Sequence, residues 1–213
     1  MGKMTRLICL LQTRCQLKSF VVRWKLSLLR MLRRCKTLVS GHKPLFAAST
    51  VSWPKSGKDG KWLKSFGGAG KGEGTFNTPH GLWIDDRNLA APKLVVTDRA
   101  HNTLQIFDLE GKYEKTIAGF GLPANIDRQG DLLLVPELKA RVSILDKDYK
   151  TVSQLGSDVE RITADNKNTI RQDESKWLDG KFVHPHDACF DLTGNIYVAE
   201  WVKTGRITKL VKV

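Results

Sequence analysis

The sequence predicts an all-β fold built from repeated units of four short antiparallel strands, and three observations support this prediction. First, a motif of a proline, an apolar stretch and an aspartate occurs three times, beginning at Pro79, Pro123 and Pro185. Second, each motif is followed by an apolar segment that ends in an acid, and these acids are Asp98, Glu137 and Glu200. Third, the prolines are 44 and 62 residues apart. Four short strands every 40–45 residues, roughly, are typical of a β-propeller blade, so the prediction is a partial β-propeller.

The strands of each unit are assigned from apolar and β-branched segments bounded by Gly, Asp and Pro, as in a meandering antiparallel sheet. The predicted second strands are residues 94–98, 133–137 and 196–200, and the predicted third strands are 103–108, 141–146 and 206–210. Fourth strands are predicted at 112–117 and 150–155, and residues 59–67 resemble one more, left over from a preceding unit. A stacked β-sandwich is the alternative, but it does not explain why the proline and the two acids recur in the same phase.

Two segments depart from the repeat. The longer proline spacing places 18 extra residues in 157–182, a charged stretch predicted to be an insertion loop. The glycine-rich segment 67–74 is superficially similar to a phosphate-binding loop, but Lys71 is followed by Gly72 rather than Ser or Thr, so it is interpreted as a flexible connector. The domain prediction is therefore a basic segment and linker at 1–56, followed by propeller blades at 57–213.

The charge of the chain is concentrated in its first part. The net charge is +13, yet residues 1–58 hold 13 basic side chains and no acid, while residues 59–213 hold 22 of each sign. The blades are therefore neutral, which makes nucleic acid an unlikely partner for them. No apolar run approaches the roughly 18–20 residues of a membrane-spanning helix, and the four cysteines form no CxxC pair.

The basic segment carries one helical pattern, predicted over residues 16–36. Apolar side chains recur there at alternating spacings of four and three, at Leu17, Val21, Trp24, Leu28, Met31 and Cys35. A basic amphipathic helix can lie on an anionic membrane, so membrane contact through residues 1–40 is one hypothesis. The competing interpretation is that residues 1–50 are not native to the protein but were read from upstream of a truncated gene.

Several segments resemble the NHL-repeat family of β-propellers. They are residues 76–82, 96–107 and 194–200, and the similarity covers roughly 57–213. Family members usually close into six blades, which need roughly 240–270 residues, so this chain would hold about half of a ring. The resemblance implies either a fragment, which is the favoured interpretation, or two chains that complete one ring through their open blade edges. Resemblance to secreted bacterial propellers favours an extracytoplasmic location, although no clear signal peptide is present.

The residues directly after two of the motif prolines are histidines, His80 and His186, and the middle unit has Ala124 there. This pattern resembles the zinc-dependent lyase domain of the peptide-amidating enzymes, which cleaves peptidyl-α-hydroxyglycine. The resemblance implies that His80 and His186 are two of three zinc ligands, and that Arg99 contacts a substrate carboxylate. The third ligand and the catalytic tyrosine would lie in blades that this chain lacks.

Non-catalytic interpretations stand beside the enzymatic one. The two Pro-His pairs are also plain variants of the NHL opening, with side chains that merely line the channel, and Arg99 can simply pair with an acid. Trp83 and Trp201 can line a ligand groove, but packing between blades is the favoured interpretation for both. The function predicted first is accordingly a binding module that holds a protein or peptide ligand on a propeller face. A zinc-dependent lyase-like enzyme is the alternative, and a membrane- or nucleic-acid-associated protein acting through the basic tail is the second alternative.

Overall fold

The structure is a computed structural model that describes residues 52–56 and 62–213, and within this range the predicted repeats are antiparallel sheets. Strands β1 (Ser52–Ser56) and β2 (Trp62–Gly67) form a two-stranded sheet ahead of the repeats. The first blade contains β3 (Pro79–Asp85), β4 (Lys93–Asp98), β5 (Thr103–Asp108) and β6 (Tyr113–Ile117). The second blade contains β7 (Asp127–Gln129), β8 (Leu132–Glu137), β9 (Arg141–Leu145) and β10 (Thr151–Leu155). The third blade contains β11 (Pro185–Phe190), β12 (Ile196–Glu200) and β13 (Arg206–Leu210).

The prediction of an all-β, partial β-propeller with about three blades is confirmed. In each blade, strands that are neighbours in sequence are neighbours in the sheet and run antiparallel, which is the meander of a propeller blade. Residues 65–213 belong to one compact unit that holds all three blades. The predicted amphipathic helix at 16–36 lies outside the described residues.

Three local features differ from the prediction. The segment predicted as a linker contains β1, which pairs with β2, the strand predicted as a remnant. The innermost strand of the second blade begins only at Asp127, because Pro123 makes a single bridge to Glu137 rather than a continuous ladder. The predicted insertion loop contains two short helices, α1 (Val159–Ala164) and α2 (Thr169–Gln172), and a 3₁₀ turn (Glu174–Lys176).

The apolar runs of β4 and β8 are buried because side chains pack against both of their faces. In β4, Val95 packs into the cluster between the first and second blades, while Leu94 and Val96 pack on the opposite side with Phe76 and Phe107. Successive side chains of a strand point to opposite faces of the sheet. A strand covered on both faces therefore has a continuous apolar sequence rather than alternating apolar and polar residues. A second cluster, which includes Leu134, Val142, Phe182, Ala188, Ile196 and Val198, joins the second blade to the third.

The acids that end the second strands anchor the start of each blade. The buried carboxylates of Asp98, Glu137 and Glu200 each accept a hydrogen bond from the backbone N–H two residues before the motif proline; these donors are Asn77, Gly121 and Val183. A buried carboxylate must be hydrogen-bonded, and here the backbone donor is supplied by the entering chain. The residue after each proline is therefore held at the same place in every blade.

The helical insertion packs onto the blades instead of extending into solvent. Ile162 and Ile170 are buried with Ala140, Val183 and Val202, and Trp177 packs against this cluster. The Trp177 indole N–H donates to the backbone oxygen of Ile170 at 2.8 Å, which holds α2 against the turn that follows it. Among the helices that the structure describes, none is long and apolar enough to cross a membrane.

Candidate functional site

The structure brings the two motif histidines together. His80 lies at the start of β3 in the first blade and His186 at the start of β11 in the third, and their ring centroids are 4.9 Å apart in an edge-to-face arrangement. The equivalent residue of the intervening blade is Ala124, which is fully buried. Its backbone oxygen accepts a hydrogen bond from His80 Nδ1 at 2.7 Å. Because that bond uses Nδ1–H, the lone pair of the neutral ring lies on Nε2.

A glycine makes this approach of strands feasible. A Cβ on Gly81 would lie 2.7 Å from Asn125 Cα and 2.8 Å from the Ala124 oxygen, both of them backbone atoms. The Gly81 N–H also donates to Thr97 Oγ1 at 2.5 Å. The glycine of the Pro-His-Gly sequence is therefore needed for contact between the first and second blades, and that contact positions His80.

Burial favours the neutral form of both imidazoles. Desolvation lowers the pKa of His80 below its ordinary value, and it outweighs the hydrogen bond to Ala124, which favours the protonated ring. Desolvation also lowers the pKa of His186, and the neighbouring His80 contributes in the same direction. The positive charge of Arg99 lowers the pKa of both rings, so Arg99 belongs to the same site.

Arg99 forms no ion pair with an acid within residues 62–213. Residues 62–213 contain seven arginines, and five of them form ion pairs with Asp or Glu: Arg87, Arg128, Arg141, Arg161 and Arg206. The two without a carboxylate partner in that part of the chain are Arg99 and Arg171. The half-buried Arg99 guanidinium is held beside the histidines through its backbone, whose N–H donates to the Thr78 oxygen at 3.2 Å.

Two residues that were not predicted as site residues lie next to this pair. The sequence favours interblade packing over a ligand groove for Trp201; its side chain is 53% exposed, and its ring lies 6.2 Å from that of His186. The Arg171 guanidinium lies over the Trp201 ring, with its central carbon 3.4 Å from the ring centroid. The sequence did hold a signal for Trp201, because it follows Glu200 as Arg99 follows Asp98, so the two occupy equivalent repeat positions. No repeat relationship marks Arg171, which lies in the insertion.

The histidine pair fits part of a zinc site. Two imidazoles that bind one tetrahedral zinc through nitrogens at about 2.0–2.1 Å have ring centres roughly 5 Å apart, which matches the observed pair. The bond from His80 Nδ1 to a backbone carbonyl is also what orients a zinc-binding imidazole. Within the residues that the structure describes, however, no group of three or more His, Cys, Asp or Glu side chains could hold a metal ion. His80 and His186 are therefore two candidate ligands, and no third candidate lies beside them among these residues.

Comparison with known proteins adds little to this geometry. No family model and no curated protein matches the chain. One similar solved structure is described as the crystal structure of BBS1N in complex with ARL6DN, soaked with mercury; its identity to this chain is 11% and the TM-score is 0.46. The similarity covers 80% of this chain and 46% of that one, so the chain spans less than half of its length. The sheets themselves define the class of protein, a partial β-propeller, and two of its blades bring His80 and His186 together.

Proposed function

We propose that this chain is an NHL-type β-propeller module that binds a protein or peptide ligand on the face formed by His80, His186 and Arg99. One observation supports the proposal above the others: three polar side chains from two different blades converge, and the only one that carries a charge has no acidic partner within residues 62–213. An arginine without a partner inside a folded protein is costly to hold in a half-buried position. A ligand that supplies an anionic group would compensate for that cost.

The chemistry of the face suits a peptide. A guanidinium offers a planar pair of donors that matches a carboxylate. A neutral imidazole has one donor and one acceptor nitrogen, so His186 can accept from a backbone N–H or donate to a backbone carbonyl. His80 has one nitrogen committed to Ala124, and its other nitrogen is an acceptor. Together these groups can hold both the backbone and an anionic group of a peptide.

The test is selection from a displayed random peptide library on the immobilised full chain, followed by calorimetric titration of the selected peptides. Arg99→Gln should weaken binding at least tenfold, because a hydrogen bond to a charged group contributes about 1.5–3 kcal/mol. His80→Ala with His186→Ala should weaken it as well. Lys209→Gln is the matched control, since Lys209 lies over the exposed side of Tyr197 in the third blade and should not matter. Selected peptides that bind every variant equally, or no selected peptide at all, would overturn the proposal.

A second candidate function is a zinc-dependent lyase-like activity, and the spacing of the two imidazoles is what favours it. When bound, zinc would supply Lewis-acid chemistry to a peptidyl-α-hydroxyglycine substrate. His80 and His186 would hold it, and Arg99 would orient the substrate carboxylate. The full chain equilibrated with zinc chloride should then retain near-stoichiometric metal, and His186→Ala should lose it. Glyoxylate release from a peptidyl-α-hydroxyglycine is the activity assay. Equal zinc content in the wild type and His186→Ala would refute this candidate.

A further inference from the structure

We infer that Arg171 and Trp201 form a second carboxylate-binding point on this face, so that the ligand is a peptide carrying a carboxylate beside the part held by the histidines. This inference rests on the proposed function and adds a ligand class to it. The residues that carry it are Arg171, Trp201 and His186, which form a continuous series of ring contacts.

The backbone at Arg171 is fixed from both sides. The Ile170 N–H donates to the Asp165 carboxylate at 2.6 Å, and the Arg171 backbone oxygen accepts from the Lys203 N–H at 3.1 Å. Ile170 itself is buried in the cluster that attaches the insertion to the blades. The guanidinium is therefore presented by a packed segment, which reduces the entropy lost when a ligand binds.

The guanidinium itself is held by stacking and not by an ion pair. It lies over the Trp201 ring, and its Nε is buried with no hydrogen-bond partner among the described residues. A buried donor without a partner is uncommon in proteins and costs free energy. Stacking uses the flat face of the guanidinium. Because Nε is buried, the donors within reach of a carboxylate approaching in the guanidinium plane are those of the two Nη groups, for which the described residues supply no acceptor.

The contrast with Arg206 shows that stacking alone does not make such a site. The Arg206 guanidinium also lies near a tryptophan, 5.3 Å from the Trp177 ring centroid. However, its Nε bonds to Glu200 and its Nη2 donates to the Lys181 oxygen, so its donors are used within the protein. Two of the seven arginines in residues 62–213 have no acidic partner there, and both lie near His186. The charge of Arg99 acts on the His186 ring, and Arg171 stacks on Trp201, whose ring lies next to that of His186.

The charge of this face also points to an anionic ligand. Burial favours the neutral form of both histidines, and neither Arg99 nor Arg171 has an ion pair within the described residues. The acid next in sequence to His186 is Asp187, and its carboxylate already accepts hydrogen bonds from Asn125 and from the Ala188 N–H. A peptide carboxylate would accept hydrogen bonds from the free donors of Arg171. Apolar atoms of the same peptide would contact the exposed Trp201 ring.

The experiment uses three pools of random octapeptides passed over the immobilised full chain, with the retained peptides identified by mass spectrometry. One pool has free C-termini, a second is amidated at the C-terminus, and a third has Asn and Gln in place of Asp and Glu. The wild type should retain carboxylate-bearing peptides about tenfold more than their neutral counterparts. Loss of retention in the second pool would assign the carboxylate to the C-terminus, and loss in the third would assign it to a side chain.

Variants separate this inference from the proposed function. Arg171→Gln and Trp201→Ala should each lower the carboxylate preference to the part that Arg99 still provides while peptides are still retained, and Lys209→Gln should leave it unchanged. Trp201 is exposed, so its variant should fold even if Arg171→Gln does not. A carboxylate preference that is the same in Arg171→Gln, in Trp201→Ala and in the wild type would overturn the inference and leave the proposed function standing. No retention by the wild type would overturn both.

Discussion

Gly81→Ala is expected to weaken the contact between the first and second blades and to displace His80. The added methyl carbon would lie 2.7 Å from Asn125 Cα and 2.8 Å from the Ala124 oxygen. Real Cβ atoms do not approach other atoms so closely, and backbone atoms cannot rotate away as a side chain can. Strand β3 must therefore move away from the segment that contains Ala124, whose oxygen holds the His80 ring.

The size of the effect follows from the kind of clash. Overpacking one methyl group in a well-packed interior costs about 1–3 kcal/mol. For a folded part of this size, each kcal/mol lowers the melting temperature by roughly 2–4 °C. We therefore expect a loss of about 2 kcal/mol and a decrease of roughly 4–8 °C.

Thermal unfolding followed by circular dichroism would measure the loss, with Gly72→Ala as the matched control. A Cβ on Gly72 would have no atom within 4 Å, so its variant should unfold like the wild type. The imidazole NMR signals of His80 and His186 provide a second readout, because they should shift in Gly81→Ala alone. If both glycine variants unfold within about 0.5 kcal/mol of the wild type, the close approach of the blades at Gly81 is not as described.

Three further predictions concern buried groups. Tyr149→Phe should cost about 1.5–3 kcal/mol in urea unfolding, because the phenol donates to the Asp85 carboxylate at 2.6 Å in a buried position. The lowered pKa values of His80 and His186 mean that the unfolded chain binds protons more readily. The contribution of these two histidines to the free energy of unfolding is present above pH 6.5, roughly. It is lost as the pH falls through their pKa in the folded protein. Unfolding measured from pH 7.5 to pH 5 should show this slope, and replacing both histidines by Gln should flatten it. Glu137→Ala should cost about 3–5 kcal/mol in the same assay, since it leaves a buried amide and an arginine without their acceptor; a loss below 1 kcal/mol would contradict the anchoring role.

Most of the blade architecture could be predicted from the sequence, because blade strands are short and their signals are local. Apolar segments ending in an acid mark β4, β8 and β12, and the proline motif marks where each blade begins. The insertion was located correctly at 157–182, but its helices were not predicted. The charged composition of that segment hid two isolated apolar residues, Ile162 and Ile170, which become buried only because blade residues cover them.

The repeat phase also predicted that His80 and His186 occupy equivalent positions, which is a property of sequence alone. Their 4.9 Å separation is a property of the tertiary structure, since it requires the small Ala124 between them and the absence of a Cβ on Gly81. The exposure of Trp201 could not be predicted from the repeat, because it depends on what the neighbouring parts of the chain leave uncovered. A repeat determines which residues are equivalent, whereas packing determines which of them meet.

The position of Arg171 beside the histidines could not be predicted from the sequence. The sequence by itself determined the repeat period, the strands, the anchoring acids and the histidine positions, because these depend on periodicity and on residues near one another in the chain. Only the tertiary structure decided which arginines are paired with acids and which remain without an acidic partner beside His186. Ion pairs and ring contacts are made between residues distant in sequence, and local pattern carries no information about such distances.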